Sequence, residues 1–314
     1  MTEKLEKMNN GGKQRDERIY RPGFDRKQGI GNATVRLLPA KEGDNFVRQF
    51  SHSFKGAGGF YWEVSRTTIG EKDPVGISNA LYWQLGEDTG DEKYQNIARK
   101  RKRNTRYYMN VYVEKDPNNP ECEGKVMIME CGAQIFKAVE DAIKPKYEDE
   151  EPIDPFDMWE GAPLKIRASG REIPDYKDPS KKVLVPNYED TKIGNPCEFL
   201  DSDDARKEIF EQTYDLSEFV KVKEFDDLAK RFKKVVGEDY NKLDKTKDEK
   251  SSEAAEKAED DYRQENEGDS YNSTVDDEPE DTKEDEQAST TTESSSDDDY
   301  DDALAEFERL ASGG

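Results

Sequence analysis

The sequence predicts a mainly β fold with flanking helices (α+β): a small Greek-key barrel of the OB kind, an irregular insertion, C-terminal helices and a disordered acidic tail. Three observations carry that reading. Short runs of strand-type alternation recur between clusters of Gly, Pro, Asn and Asp. Helical spacing of apolar residues appears once among those runs and twice after them. Composition then changes abruptly near residue 245, where apolar residues almost vanish.

Residues 1–28 are polar and charged, with Gly11 and Gly12 and a short helical possibility that puts Leu5 and Met8 on one face; they read as a mobile arm. Residues 33–38 alternate as a strand closed by Pro39, and Lys41-Glu42-Gly43-Asp44-Asn45 reads as a turn. Runs 46–54 and 60–64 flank Lys55-Gly56-Ala57-Gly58-Gly59, which predicts a hairpin. Residues 65–97 are polar apart from Tyr82, Trp83 and Leu85 and read as an irregular excursion. After the turn Lys115-Asp116-Pro117-Asn118-Asn119-Pro120 comes a strand at 125–130. A helix is expected at 133–143, with Ile135, Phe136, Val139 and Ile143 on one face and Pro145 beyond its end. The last strands fall at 164–168 and 182–185. Two helical patterns follow, 204–216 with Ile209 and Phe210 inward and 225–236 with Leu228, Phe232 and Val235 inward.

Charge divides the chain more sharply than hydropathy does. The 314 residues are 32% hydrophobic and 39% charged, with a net charge of -24. Residues 245–314 hold 26 acidic and 7 basic residues, a net of -19, which leaves -5 for the first 244. Their Val, Leu, Ile and Phe content is Val275, Leu304, Phe307 and Leu310 alone, too little to offset backbone ordering at about 1–2 kcal/mol per residue. The expected organisation is therefore an arm at 1–28, a core at 29–240 with the 65–97 excursion, and an acidic tail at 241–314. At the very end, Asp297-Asp298-Asp299-Tyr300-Asp301-Asp302 precedes Leu304, Phe307 and Leu310, spaced by three as a short stripe that folds onto a protein partner.

The stretch 99–113, RKRKRNTRYYMNVYV, constrains function most. Arg99, Lys100, Arg101, Lys102, Arg103 and Arg106 run straight into strand alternation. If the stretch is extended, Tyr107, Met109, Val111 and Val113 point to one side, and Tyr108, Asn110 and Tyr112 to the other. Cations beside aromatic rings are what single-stranded nucleic acid needs: phosphates require positive charge, and unstacked bases gain about 1–3 kcal/mol each on a flat partner. Basic runs also serve as solvated faces, and strand tyrosines as packing residues.

Other function classes find less support. Cys122, Cys131 and Cys197 form no disulfide framework and no CxxC pair, which suits a reducing compartment. No apolar run approaches the roughly 18 residues of a membrane span, so a soluble, cytosolic protein without a membrane partner is expected. No P-loop, Ser/His/Asp or HExxH pattern appears, and the dense carboxylates of a hypothetical metal-dependent nuclease lie in the tail, so no catalytic residue is assigned. An RNA-binding or acidic chaperone-like protein is the other alternative.

Taken together, Val35-Arg36-Leu37-Leu38-Pro39, His52-Ser53-Phe54-Lys55, the basic run with Thr105 before Tyr107-Tyr108-Met109-Asn110, Lys115-Asp116-Pro117 with Glu123-Gly124-Lys125-Val126, Trp159-Glu160-Gly161, and Lys207-Glu208-Ile209-Phe210-Glu211-Gln212 with Asp215-Leu216-Ser217-Glu218 carry a resemblance. In that order and spacing, the chain resembles the single-stranded DNA-binding, helix-destabilising proteins of T-even-type bacteriophages over roughly residues 30–240, with a tail of the same character. The resemblance implies an OB-fold core that coats single strands without sequence preference in an infected bacterial cytoplasm. It implies self-association through the N-terminal arm, and contacts with replication, recombination and repair proteins through the acidic tail. It places Tyr82, Tyr107, Tyr108 and Tyr176 at or near aromatics lining the DNA cleft, and Lys102 and Arg103 on the basic motif beside it. One of Tyr107 and Tyr108 stacks and the other packs, with the choice left open. Two departures stand out. Where the family holds a structural zinc with one His and three Cys, this chain keeps His52 but has Ser65, Asp73 and Gly76, so no metal or other cofactor is expected. The arm offers only Lys4, Lys7, Lys13 and Arg15, scattered among acids, where the family has a basic cluster.

Overall fold

A computed structural model of the chain describes residues 16–147, 149–174 and 180–237. Among these, nine strands share one sheet: β1 (Ile19–Tyr20), β2 (Ile30–Leu37), β3 (Phe46–Gly56), β4 (Gly59–Val64), β5 (Arg103–Lys115), β6 (Val126–Cys131), β7 (Leu164–Pro174), β8 (Lys182–Asn187) and β9 (Lys192–Ile193). Five helices accompany them: α1 (Pro74–Thr89), α2 (Glu92–Lys100), α3 (Ala133–Ile143), α4 (Asp203–Glu211) and α5 (Phe225–Val236).

The long strand β5 organises the sheet. Along one edge it pairs antiparallel with β3 over Arg103 to Met109 and then with β2 over Val111 to Lys115; β6 occupies the other edge. β2 shifts register between Thr34 and Val35 and also pairs with β7, which carries β8 and β9. Sharing strands in this way curls the sheet into a half-barrel, consistent with the expected OB-like, mainly β fold. β1 alone is parallel, to β6.

Alternation fills the inside of the curl. Val35, Leu37, Met109, Val111, Val113, Met129, Leu164 and Ile166 turn inward, and α3 closes the opening with Ile135, Phe136 and Val139, all buried. Each such side chain contributes about 1.5–3 kcal/mol relative to exposure. Helices α3 and α5 match the spacing of their apolar residues, except that Ile143, expected inward, is exposed at the end of α3, and α5 buries Leu228, Phe232 and Val235. The helix expected over 204–216 stops at Glu211; Leu216 instead packs under Tyr108 and Ile128.

Two expectations are corrected. The excursion at 65–97 is helical rather than irregular: a short 3-10 turn, Arg66–Ile69, leads into α1 and α2. Asp73 caps α1 by accepting from the amides of Val75 and Gly76, Pro74 occupies the first turn, and Gly90 ends the helix in the left-handed region at φ 70°. Gly86 is a contact requirement, because a Cβ there would lie 2.6 Å from Cγ of Gln95 on α2. The second correction concerns the arm, which does not extend to residue 28. Ile19–Tyr20 pairs with β6, and Tyr20 is buried, its hydroxyl donating to Asp116 over 2.7 Å. Residues 1–15, Tyr176 and the tail from 238, with Leu304, Phe307 and Leu310, lie outside the described residues.

Candidate nucleic-acid interface

The basic run does not form one extended strip. Arg99 and Lys100 complete the last turn of α2, where cations oppose the negative end of the helix dipole, and Arg101 is the cap residue. Arg99 lies over the Trp83 ring at 5.3 Å and donates to Asn96. Arg101 is only 2% exposed: its guanidinium sits 5.4 Å from the rings of both Tyr82 and Phe232 and 5.8 Å from Phe54, and donates to Ser78. That cation ties α1 to the β3–β4 hairpin and α5, so Arg101 and Tyr82 have structural positions instead of the surface positions expected of them.

β5 begins only at Arg103. Pairing with β3 puts Arg103 opposite His52, Thr105 opposite Phe50 and Tyr107 opposite Arg48. Along the same face of β3, Phe46 joins Tyr107 and Phe136 in the barrel core, whereas Phe54 joins Tyr61, Val75 and Phe232 beneath α5. Between these two packed bodies lies a saddle. Its centre is the Phe50 ring, itself only 7% exposed and so a support for the cations above it, with the Arg103 guanidinium 4.0 Å and the Arg48 guanidinium 5.0 Å from the ring centroid. Lys102 is half-buried beside it and Lys100 is exposed. Two guanidinium planes backed by an aromatic ring offer both charge for phosphates and flat surfaces for bases.

The tyrosines are differently placed from the aromatic wall that alternation predicts. Tyr107 is 4% exposed and stacks on Phe136 with centroids 3.8 Å apart, on the core side that it shares with Met109, Val111 and Val113. Tyr108 emerges on the other face, but the turn Ser217–Val220 lays Phe219 across it at 4.0 Å, leaving 8% exposed. Burial pushes its phenol well above the ordinary tyrosine range. Tyr112 is half-buried against Phe199. Arg106 shares the Tyr108 face, where Glu130 takes it at 3.4 Å and Arg21 at 2.7 Å. The stretch thus supplies Arg103 directly to the saddle, with Lys102 and Lys100 alongside. Sequence reasoning passed over Arg48 and Phe50, although the alternation Phe46, Arg48, Phe50, His52, Phe54 carried the signal.

A family model described as gp32 DNA binding protein like matches residues 29–236, from just before β2 to the end of α5. The chain is also 30% identical over 217 residues to the single-stranded DNA-binding proteins of the Enterobacteria phages T4 and T2, covering 67% of this chain and 67% of each of theirs. This chain belongs to the gp32-like family. The order of motifs seen in the sequence therefore reflects common descent, and the match includes the saddle and both bodies flanking it.

The zinc position expected from the family can be tested on its donors. His52 Nδ1 donates to the carbonyl of Arg101, and its Nε2 lies 3.5 Å from Oδ1 of Asp73. Asp73 already accepts from the amides of Arg66, Val75 and Gly76. Ser65 caps the 3-10 turn, and Gly76 has no side chain. The residues do not fit a tetrahedral zinc, which needs four N or S ligands. They instead form a hydrogen-bonded polar core at the foot of α1.

Proposed function

We propose that this gp32-like chain binds single-stranded DNA without sequence preference, and coats and protects it during phage DNA replication, recombination and repair in the cytoplasm of the infected bacterium. The observation that carries the reading is the pair Arg48 and Arg103 on the Phe50 ring, at 5.0 and 4.0 Å, between the barrel and the helical unit. Guanidiniums neutralise phosphates and release counterions, and their planes accept bases. Lys102, Lys100 and Arg99 extend the positive path along the end of α2. Binding single strands and not duplex shifts melting toward separated strands by mass action, without ATP.

The acidic tail contributes in two ways under this reading. Its net charge of -19 competes with DNA for the saddle from within the same chain, at an effective concentration on the order of millimolar, and its end recruits replication, recombination and repair proteins. Self-association along DNA falls to residues 1–15, since Ile19–Tyr20 pairs with β6 and Tyr20 is buried. Their few cations predict weak cooperativity. Deleting 1–15 and measuring binding to long single strands tests this, and unchanged cooperativity removes the arm from the account.

The deciding experiment incubates the full chain with labelled single-stranded DNA, RNA and duplex DNA, with and without Mg2+. Preference for single-stranded DNA without cleavage supports the proposal. Equal affinity for RNA favours a general single-strand binder, and Mg2+-dependent cleavage replaces binding with nuclease chemistry.

A further inference from the structure

Among the described residues strand β4 is an edge strand, paired with β3 alone, and it presents Phe60 and Trp62 on one face at 46% and 47% exposure. Exposed aromatic rings two residues apart on a strand share a face by the period of the pleat, so they form one apolar platform. Together with Val64 they line a groove whose other wall is Lys221, Lys223 and Arg231. Glu63 fixes that wall in place, accepting from Lys223 at 2.6 Å and pairing with Arg231 at 3.0 Å. Two positive charges remain in excess over Glu63. The groove is thus an apolar floor with a basic rim, and the saddle uses none of these residues.

The occupant is suggested by where the chain goes next. Val235, near the end of α5, accepts from the amide of Gly58 over 2.7 Å, so the tail departs beside the tip of the β3–β4 hairpin. Two of the three glycines at the tip permit this contact: a Cβ on Gly58 would lie 1.9 Å from the Lys234 carbonyl, and one on Gly56 2.5 Å from that of Val235. The tail, otherwise nearly devoid of large apolar residues, ends in Asp297-Asp298-Asp299-Tyr300-Asp301-Asp302 followed by Leu304, Phe307 and Leu310. Acid followed by an apolar triplet is the chemical complement of an aromatic floor with a cationic rim. The 59 residues between Gly237 and Asp297 have a contour length of about 200 Å, so reach does not limit the contact.

We infer that the β4 groove is a docking site for residues 297–310 of the same chain, with Leu304, Phe307 and Leu310 on Phe60, Trp62 and Val64 and the aspartates on Lys221, Lys223 and Arg231. The groove holds the partner-recruiting end of the tail against its own core. This goes beyond competition of the tail with DNA, because it requires no contact with Arg48 or Arg103. A partner that takes the apolar triplet must first displace it from β4.

The test places the photocrosslinker benzoylphenylalanine at Phe307 in the full chain and maps products by mass spectrometry. Intramolecular crosslinks to residues 60–64 and 221–231 are expected, with loss of most of that product in F60S/W62S under conditions where a melt shows that variant folded. The tail variant L304S/L310S, which leaves the core sequence intact, gives the same loss. Crosslinks confined to the saddle, crosslinks between two copies, or a pattern indifferent to both variants overturn the inference. It is equally overturned if F60S/W62S weakens single-stranded DNA binding while the crosslinks lie elsewhere, since the platform is then a base-stacking surface. Failure here leaves DNA binding at the saddle intact, because that is read by Arg48 and Arg103 variants.

Discussion

The Nδ1–H of His52 donates to the carbonyl oxygen of Arg101 over 2.9 Å, joining strand β3 to the residue that caps α2. Asn79 donates to the same carbonyl over 3.1 Å, and the far side of the imidazole faces Asp73. The helical unit is held here by a buried His, a buried Asp and backbone amides. Asp73→Ala removes the α1 cap and orphans the buried amide of Arg66. A cap is worth about 0.5–2 kcal/mol and an unsatisfied buried donor about 1–3. The expected outcome is a loss of roughly 2–4 kcal/mol in denaturant melts, with the melting temperature of the parent unmoved by chelator or by added zinc. A chelator-sensitive melt contradicts the polar core.

Tyr107 and Tyr108 are first of all packing residues. Each ring is stacked on a phenylalanine from another element, Phe136 of α3 and Phe219 of the 217–220 turn. Truncating a buried aromatic to Ala costs about 3–5 kcal/mol. Both Tyr107→Ala and Tyr108→Ala are therefore expected to lower the denaturant midpoint by that order, while Tyr→Phe at either site changes stability and single-strand affinity little. A full-stability Tyr108→Ala with weakened DNA binding reverses this assignment and makes Tyr108 a stacking residue.

Strand positions and the two well-patterned helices, α3 and α5, were legible because their apolar residues follow one period against one core. α1 was not, because it carries Gly76 and Gly86 and is apolar on more than one side, so its caps, Asp73-Pro74 and Gly90, were the readable signal. The interface was half legible. Positive charge was visible in the run itself, but that run crosses a helix end, a buried cap and a strand start, which separates Arg101 and Arg106 from Arg103. The exposure of Tyr108 hinges on Phe219, more than 100 residues away, and no local pattern reports such a contact.

Alkaline pH should expose the buried phenols energetically. Burial holds the phenol of Tyr20 well above the ordinary tyrosine range, with help from the Asp116 carboxylate, and burial does the same for Tyr61 and Tyr108. Because these native phenols bind protons more tightly than unfolded ones, the stability they contribute is complete below about pH 10 and is lost as pH climbs past it. Denaturant midpoints should hold steady up to that point and then fall. Ultraviolet titration should show a class of tyrosines that ionises only with unfolding. Fifteen tyrosines titrating together near the ordinary value of about 10 would contradict their burial.

Salt dependence discriminates among the arginines of one short segment. On single strands each neutralised phosphate contributes about -0.7 to the slope of log affinity against log salt. Arg103 and Arg48 lie on the saddle, so Arg103→Ala or Arg48→Ala should reduce the magnitude of that slope by roughly 0.7 each. Arg106 lies on the opposite face, already paired with Glu130, and Arg106→Ala should leave the slope nearly unchanged. Arg101 is enclosed by three rings, and Arg101→Ala should appear as lost stability before lost affinity. Fluorescence anisotropy of a labelled oligonucleotide across a salt series, with a melt for each variant, separates these effects. Equal slope changes for Arg103, Arg48 and Arg106 would mean that DNA follows the charge of the whole run; a difference confined to the first two places the strand on the Phe50 saddle, because only there do the cations share one face.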